Sequence, residues 1–448
     1  MKKDLYKEYF EDKKVTVLGL GLLGRGIGDT IFLMENKAEV ICTDTRSAEK
    51  LAASIVELKK HDMSHTTLVI GENRLSDFEK ADYVLTCTGL PVDYDMLIHA
   101  RSKNIPVLMS GSFVCQIIKE KLKNVKIIGI TGTRGKSTTT AMIAHILKEN
   151  NKKVHLGGNV RGVANLPILE DIEDGDFLVM ELDSWQLQNF GEQKISPDFA
   201  IFTSFLDDHM NYYKNDREAY FYDKANIFKY QKESCLIASS QAAVEIKKRL
   251  GNQEVIIPEK RSFEINLIGD HNQVSAGLSL ETCLKVGIPE DSILKALSTF
   301  KAVDGRLEFL GEAKGVKFYN DNNATSPDAV MAGLSAVVQK YNRKPILIIG
   351  GADKGLELES LEKSILENSK EVVFLEGTGT SKLNLEKKYI FEKLEDCTHK
   401  AFEMAITGDV ILYSPGFASF SPYFRNEYEK NDEFVRVVSD ILKNNKNA

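Results

Sequence analysis

Three stretches of this chain open alike, with a run of β-branched and apolar residues that stops on glycine, and each continues through helix-length patterns into further runs of the same kind. The first holds VTVLGLGLLG (15–24), VICTDTR (40–46) and YVLTCTG (83–89). The second holds VKIIGITGTRGKST, VHLGG, FLVMEL and FAIFTSF, and the third KPILIIGG (344–351), EVVFLEG (371–377) and DVILYSPG (409–416). Strands separated by helices pair in parallel through crossovers rather than as hairpins. The pattern therefore predicts an α/β fold of three such units. The stretch around Lys123 parts the first from the second, and Asp304-Gly305, a turn signal after the helical pattern SILKALSTF, parts the second from the third. The expected domains are 1–108, 109–302 and 303–448. A chain of 448 residues has room for three at roughly 150 residues each.

A formal net charge of −7 argues against a general surface for nucleic acid or an anionic membrane, since both need clustered Lys and Arg. Anionic ligands must then be met by local sites. The opening MKKDLYKEYFEDKK holds no apolar run of signal-peptide length. No stretch reaches the 18 or so apolar residues of a membrane span. The six cysteines have no CxxC pair and lie mostly in apolar runs, which suits buried free thiols in a reducing cytoplasm.

Chemistry enters at G-I-T-G-T-R-G-K-S-T (129–138), between the strand-like VKIIGI and the helical TTTAMIAHILKEN. A glycine-rich turn into a helix offers backbone N–H groups to phosphates, a lysine neutralises them, and a hydroxyl holds Mg2+. Gly132, Thr133, Arg134 and Gly135 would form the cradle for ATP, Lys136 the cation, and Ser137 or Thr138 the hydroxyl. The match to G-x-x-x-x-G-K-[ST] is imperfect, because Ile130 stands where the first glycine belongs and Gly129 is one position early. The loop is therefore a variant. An ordinary glycine-rich turn explains the glycines but not Lys-Ser-Thr at the head of a helix. G-L-G-L-L-G (19–24), with Asp44 twenty residues beyond Gly24, is a weaker dinucleotide-type signal that close helix–sheet packing also explains. Asp44-Thr45-Arg46 ends the second strand run, where a ribose or phosphate of a nucleotide would be read.

GTRGKST is followed in order by GGN (157–159), ELDSWQL (181–187), DDHMNYY (207–213), YDKANIF (222–228), GDHN (269–272), DGRLE (304–308), DNNATSPDA (321–329) and GGADKG (350–355). This ordered set resembles the Mur ligase family of cell-wall synthesis, over nearly the whole chain. The C-terminal SPGFASFSPYFRNEYEKNDEF (414–434) and DTR (44–46) look most like its members that add D-glutamate to UDP-N-acetylmuramoyl-L-alanine. The resemblance implies a Rossmann-like N-terminal domain for the UDP-sugar, a central P-loop ATPase-type parallel sheet, and a Rossmann-like C-terminal domain for the amino acid. It implies a monomeric enzyme that activates a carboxylate with ATP and Mg2+ to an acyl phosphate, which an amino-acid amine then attacks.

Carried over position by position, Lys136 would hold the γ-phosphate, and Ser137, Glu181 and His209 would bind magnesium. Lys224 matches the lysine that the family carbamylates, turning a cation into an anion that can face Mg2+. Asn272, Arg306 and Asp321 would meet ATP. Gly19, Leu20, Gly21, Leu22 and Leu23 would line the uracil and diphosphate, with Asp44, Thr45, Arg46 and Gly89 completing that pocket. Asn159 would face sugar or phosphates, and Lys354 and Ser419 the incoming amino acid. Taken singly, Glu181 or His209 is an ordinary polar residue at a strand end, and Lys224 a solvated lysine on a helix. The chain departs from the D-glutamate pattern where Asn323 replaces a lysine, Glu427 a phenylalanine and Gly305 a histidine. A carboxylate at Glu427 facing inward would repel glutamate, and Arg425 or Lys430 would be the replacements for the missing lysine. Competing readings are a related ligase for another amino acid, an NAD-dependent oxidoreductase built on Gly19–Gly24, which leaves GKST unexplained, and a nucleotide-binding scaffold that has lost catalysis.

Overall fold

The apolar runs are strands, and their glycine ends are strand ends. The structure, a computed structural model of the chain, describes residues 2–21, 24–418, 424 and 427–445, without the side chains of 2–4 and 427. It divides into two compact units, residues 1–260 with 277–296 and residues 261–276 with 297–448.

The first unit holds two five-stranded parallel sheets. In one, β1 (Lys14–Leu18), β2 (Glu39–Asp44), β3 (Thr66–Ile70), β4 (Tyr83–Thr86) and β5 (Val107–Leu108) lie in the order β3-β2-β1-β4-β5. In the other, β6 (Lys126–Thr131), β7 (Val154–Gly158), β8 (Phe177–Glu181), β9 (Phe199–Phe202) and β10 (Leu236–Ala238) lie in the order β10-β9-β6-β8-β7. The strands are apolar almost throughout because helices cover both faces of a parallel sheet. The helix Ser110–Lys121 buries Phe113, Val114, Cys115, Ile117 and Ile118. Such broad burial belongs to a helix packed on more than one side. One core runs from Phe10, Phe32 and Phe113 through Met180 and Leu182 to Phe202. Phe10 meets Phe32 and Phe113 edge-on, with ring centroids 5.0 and 5.8 Å apart.

The second unit contains β11 (Glu308–Ala313), β12 (Val316–Asn320), β13 (Ile346–Ile349), β14 (Glu371–Leu375), β15 (Ile390–Phe391) and β16 (Val410–Tyr413), in the order β11-β12-β16-β13-β14-β15. Only the hairpin β11–β12 is antiparallel among these pairings, so the sheet is mixed. Along β13, Leu347 and Ile349 join one core and Ile346 and Ile348 the other, the two-residue alternation of a sheet covered on both faces.

All six cysteines are unpaired; Cys42, Cys115, Cys283 and Cys397 are buried, but Cys87 and Cys235 are only partly so. Among the described residues no helix is long and apolar enough to cross a membrane.

Candidate active site

β6 is the middle strand of its sheet, and the loop at its carboxyl end is held by the segment that follows the neighbouring β9. Gly132 has φ 142°, and a Cβ there would lie 2.0 Å from Thr203 Oγ1 and 2.8 Å from the Ser204 nitrogen; no side chain fits. This close approach lets Thr133 N–H donate to the Ser204 carbonyl at 2.8 Å, Thr133 Oγ1 donate to the Leu206 carbonyl at 3.0 Å, and Arg134 N–H donate to Ser204 Oγ at 2.8 Å. The Arg134 guanidinium pairs with Asp208 at 3.0 Å. Gly135 turns the chain into the helix Lys136–Glu149. Ser137 and Thr138 thus lie in a first helical turn, where N–H groups and the helix dipole favour an anion. Lys136 Nζ folds back to the carbonyls of Gly132 and Thr133, at 3.0 and 3.2 Å.

Lys224 arrives from the helix Arg217–Lys229, which Asp216 caps by accepting from Ala219 N–H. It is no solvated lysine: it is 2% exposed, and its Nζ donates to the same Gly132 carbonyl at 3.0 Å, 4.7 Å from the Tyr220 ring centroid. Burial, reinforced by Lys136, holds its pKa well below the ordinary lysine value, although Asp183, Asp208 and Asp223 oppose the shift. Two amines that share one carbonyl, one of them fully buried, cannot both keep a full charge cheaply. The Lys224 amine is therefore biased toward its neutral, nucleophilic form.

Glu181 is the last residue of β8, beside Ile130 of β6 in the sheet register, and is buried. Its carbonyl accepts from Asn159 N–H at 2.7 Å. His209 packs its ring against Trp185, centroids 4.5 Å apart, and lies 3.8 Å from Asp208. Burial lowers the His209 pKa, Lys136 and Lys224 add to that effect, and Asp208 opposes it. A neutral imidazole keeps a lone pair for a ligand. Among the described residues no three His, Cys, Asp or Glu side chains group as a metal site. Mg2+ keeps several waters and needs only one or two carboxylates. Ser137, Glu181 and His209 fit it if Lys224 carries a carboxylate, and do not if Lys224 is an ammonium.

Sequence reasoning missed Asp183 and Asp208, which set the charge around Lys224. Asp183 caps the helix Ser184–Glu192 in a capping box with Gln186. Asp-Ser-Trp-Gln signals such a cap, but not the lysine beside it.

In the first sheet, Asp44 is the last residue of β2, and Arg46 and Gly89 lie beyond the carboxyl ends of β2 and β4, around the point between β1 and β4 where strand order reverses. Open α/β sheets bind ligands at such points. Asp44 accepts from Arg46 N–H at 2.9 Å and lies 3.7 Å from its guanidinium. Gly21 N–H is 3.4 Å from the same carboxylate, and Thr45 is exposed. Leu22 and Leu23 lie outside the described residues. Asn159, placed by the Gly158 turn after β7, accepts through Oδ1 from Arg25 at 2.5 Å. Arg25 was not anticipated from the sequence.

The second unit gathers Asn272, Arg306 and Asp321. Asn272 is buried and donates to the Ile268 carbonyl at 2.7 Å. Its neighbour His271, its pKa lowered by burial, also feels Arg306. Asp321, at the end of β12, accepts from Ser414 Oγ at 3.0 Å and Leu307 N–H at 3.2 Å, and burial pushes its carboxyl up to about 7. Lys354 donates to Thr325 Oγ1 at 2.9 Å. Asn323 donates to the Asp304 carbonyl at 3.0 Å. Lys430 is buried and donates to the Gly350 carbonyl at 3.1 Å, and burial brings its amine down to about 7. That amine supports the glycine turn carrying Lys354. Ser419, Arg425 and the Glu427 side chain lie outside the described residues.

Two domain profiles match the chain, the Mur ligase middle domain over residues 130–258 and the Mur ligase glutamate ligase domain over residues 305–417. The UDP-N-acetylmuramoylalanine–D-glutamate ligase of Borreliella burgdorferi strain ZS7 is 30% identical over 455 residues, covering 95% of this chain and 97% of its own. The enzyme of that name from Roseiflexus sp. strain RS-1 is 30% identical, covering 96% of this chain and 99% of its own. The crystal structure of UDP-N-acetylmuramate-alanine ligase from Thermotoga maritima matches with a TM-score of 0.62 at 19% identity, over 96% of this chain and 99% of that one; this last likeness is one of fold.

Proposed function

Because the chain belongs to the Mur ligase family, we propose that it joins D-glutamate to UDP-N-acetylmuramoyl-L-alanine with ATP, in peptidoglycan precursor synthesis. The observation that carries the ligase chemistry is the pair of amines, Lys136 and Lys224, on the Gly132 carbonyl at the head of a helix. The choice of D-glutamate is supported by the names of relatives matched over nearly their whole length. The dinucleotide reading of Gly19–Gly24 leaves those two amines unexplained. The family works with ATP and Mg2+; the division at 108 and 302, a monomeric state and a cytoplasmic site of action go with this reading.

In this mechanism the N–H groups from Gly135 to Thr138 and the Lys136 ammonium hold the ATP phosphates, while the Thr133 and Arg134 N–H groups stay on Ser204 and fix the loop. The substrate carboxylate attacks the γ-phosphorus and ADP leaves, giving an acyl phosphate. The amino-acid amine then attacks the acyl carbon; phosphate leaves, the nitrogen gives up a proton, and an amide remains. Bound Mg2+ supplies charge neutralisation between carboxylate and phosphates, and Ser137, Glu181, His209 and carbamylated Lys224 would hold it. The neutral Lys224 amine adds to CO2 and loses a proton to become that carbamate. Asp44, Thr45, Arg46, Gly89 and Asn159 serve the UDP-sugar, Asn272, Arg306 and Asp321 the nucleotide, and Lys354 with Ser419 the amino acid.

The test is phosphate release from ATP and Mg2+ with UDP-N-acetylmuramoyl-L-alanine, comparing D-glutamate, L-glutamate, other amino acids and none. Release that depends on D-glutamate is expected. Release with another amino acid would move specificity to Asn323 and Glu427, and none with any would remove the proposal. Lys224→Ala should lose activity that acetate partly restores, and intact mass in CO2-saturated buffer should show one added carboxyl on the wild type only.

A further inference from the structure

Two side chains one turn apart on the helix Arg25–Glu35, Arg25 and Asp29, both reach toward the segment that follows β7. Arg25 Nη1 donates to Asn159 Oδ1 at 2.5 Å. Asp29 accepts from Asn165 N–H and Leu166 N–H at 2.9 and 2.8 Å. Between them Gly28 lies so close to this segment that a Cβ would be 2.6 Å from that of Ala164. The helix that leaves the first sheet is thereby stitched to the turn that leaves the second. The stitch continues inward: Asn165 Oδ1 accepts from Gly158 N–H at 2.7 Å, and Asn159 N–H donates to the Glu181 carbonyl at 2.7 Å.

Arg25 also stands within electrostatic range of the loops at the carboxyl end of the first sheet. It follows Gly24 directly at the carboxyl end of β1. The Cys87 thiol just beyond β4, raised chiefly by burial, is pulled back by both Arg46 and Arg25. Among the described residues a single hydrogen bond engages the partly exposed Arg25 side chain, and a guanidinium has five N–H donors arranged as a fork that suits phosphate oxygens.

We propose that Arg25 is a specificity-determining residue for the nucleotide-sugar: it contacts the diphosphate with its remaining N–H groups while holding Asn159 beside Glu181. Filling the crevice on the first sheet then fixes the turn next to the phosphoryl-transfer loop of the second. This rests on the ligase reading above.

The experiment is calorimetric binding of UDP-N-acetylmuramoyl-L-alanine without ATP, alongside steady-state kinetics, for wild type, Arg25→Ala, Arg25→Lys, Asn159→Ala and the double alanine variant. Arg25→Ala should weaken binding and raise KM for the UDP-sugar at least about tenfold, the scale of one lost charge-assisted contact, while KM for ATP stays within about twofold. Arg25→Lys should recover most of the binding but little of kcat, because a point charge lacks the fork. Arg25→Ala and Asn159→Ala should be non-additive in kcat/KM. Unchanged UDP-sugar binding in Arg25→Ala, or equal rises in both KM values with a lowered Tm, would overturn the assignment to Arg25 while the ligase reading stands. Wild-type protein that neither binds the UDP-sugar nor turns over would overturn both.

Discussion

Two glycine-rich turns in the first unit leave the middle strand of a five-stranded parallel sheet and enter a helix, yet they direct their cations oppositely. After β6, Lys136 bends back onto its own loop, to Gly132 and Thr133. After β1, Arg25 reaches away from its sheet to Asn159. Topology gives both turns a helix N-terminus. The direction of the first long cation separates a turn that concentrates charge on its own loop, the one proposed for phosphoryl transfer, from one that is tied to the second sheet and is proposed to hold an anion.

The largest expected difference is in catalysis. Lys136→Ala should lower kcat by about 10^3-fold, the scale of removing one preorganised charge from a transition state, and leave UDP-sugar affinity unchanged. Coupled ADP release and calorimetry measure the two. An equal loss of UDP-sugar affinity would break the contrast between the turns.

Stability should separate them next. Gly132→Ala meets Thr203 and Ser204 inside van der Waals distance, whereas a Cβ at Gly24 (φ 85°) meets nothing within 4 Å. Gly132→Ala should therefore destabilise by about 3 kcal/mol or more, from overpacking and backbone strain together. Gly24→Ala should cost about 1–2 kcal/mol, the left-handed penalty alone. Denaturant midpoints measure both, and similar values would show that the two loops are equally confined.

The pH dependence of the helix after β1 gives a further test. Burial raises the Asp29 carboxyl from 3.8 to about 6. Its folded pKa is above its unfolded one, so its contribution is full below about pH 3.8 and is lost as pH rises through about 6, on the order of 3 kcal/mol in all. Asp29→Asn does not titrate. Its Tm should gain on the wild type between pH 4 and pH 7, and parallel curves would mean that Asp29 ionises freely.

The fold was legible because it rests on local signals: β-branched runs give strands, glycine gives their ends, and helix-length spacing enforces parallel crossovers. Those signals did not reveal that one core unites the first two sheets, since Phe10, Phe113 and Met180 look like any apolar residues until the helix Ser110–Lys121 brings them together. In the site, Gly132 to Thr138 could be read because a phosphate loop is contiguous. Asp183, Asp208 and Arg25 could not, for a cap, a loop acid and a helix-start arginine carry no local mark of the partner they will meet.

The sequence by itself determined the α/β class, the glycine-rich turn into a helix that is proposed to take phosphates, and the order of motifs that places the chain among the Mur ligases, all properties of neighbours along the chain. Only the tertiary structure decided that Lys224 is buried on the Gly132 carbonyl, that Lys430 is occupied by Gly350, and that Arg25 serves two sheets. Charge state and reach depend on burial and on partners far apart in sequence, and those exist only once the chain has folded.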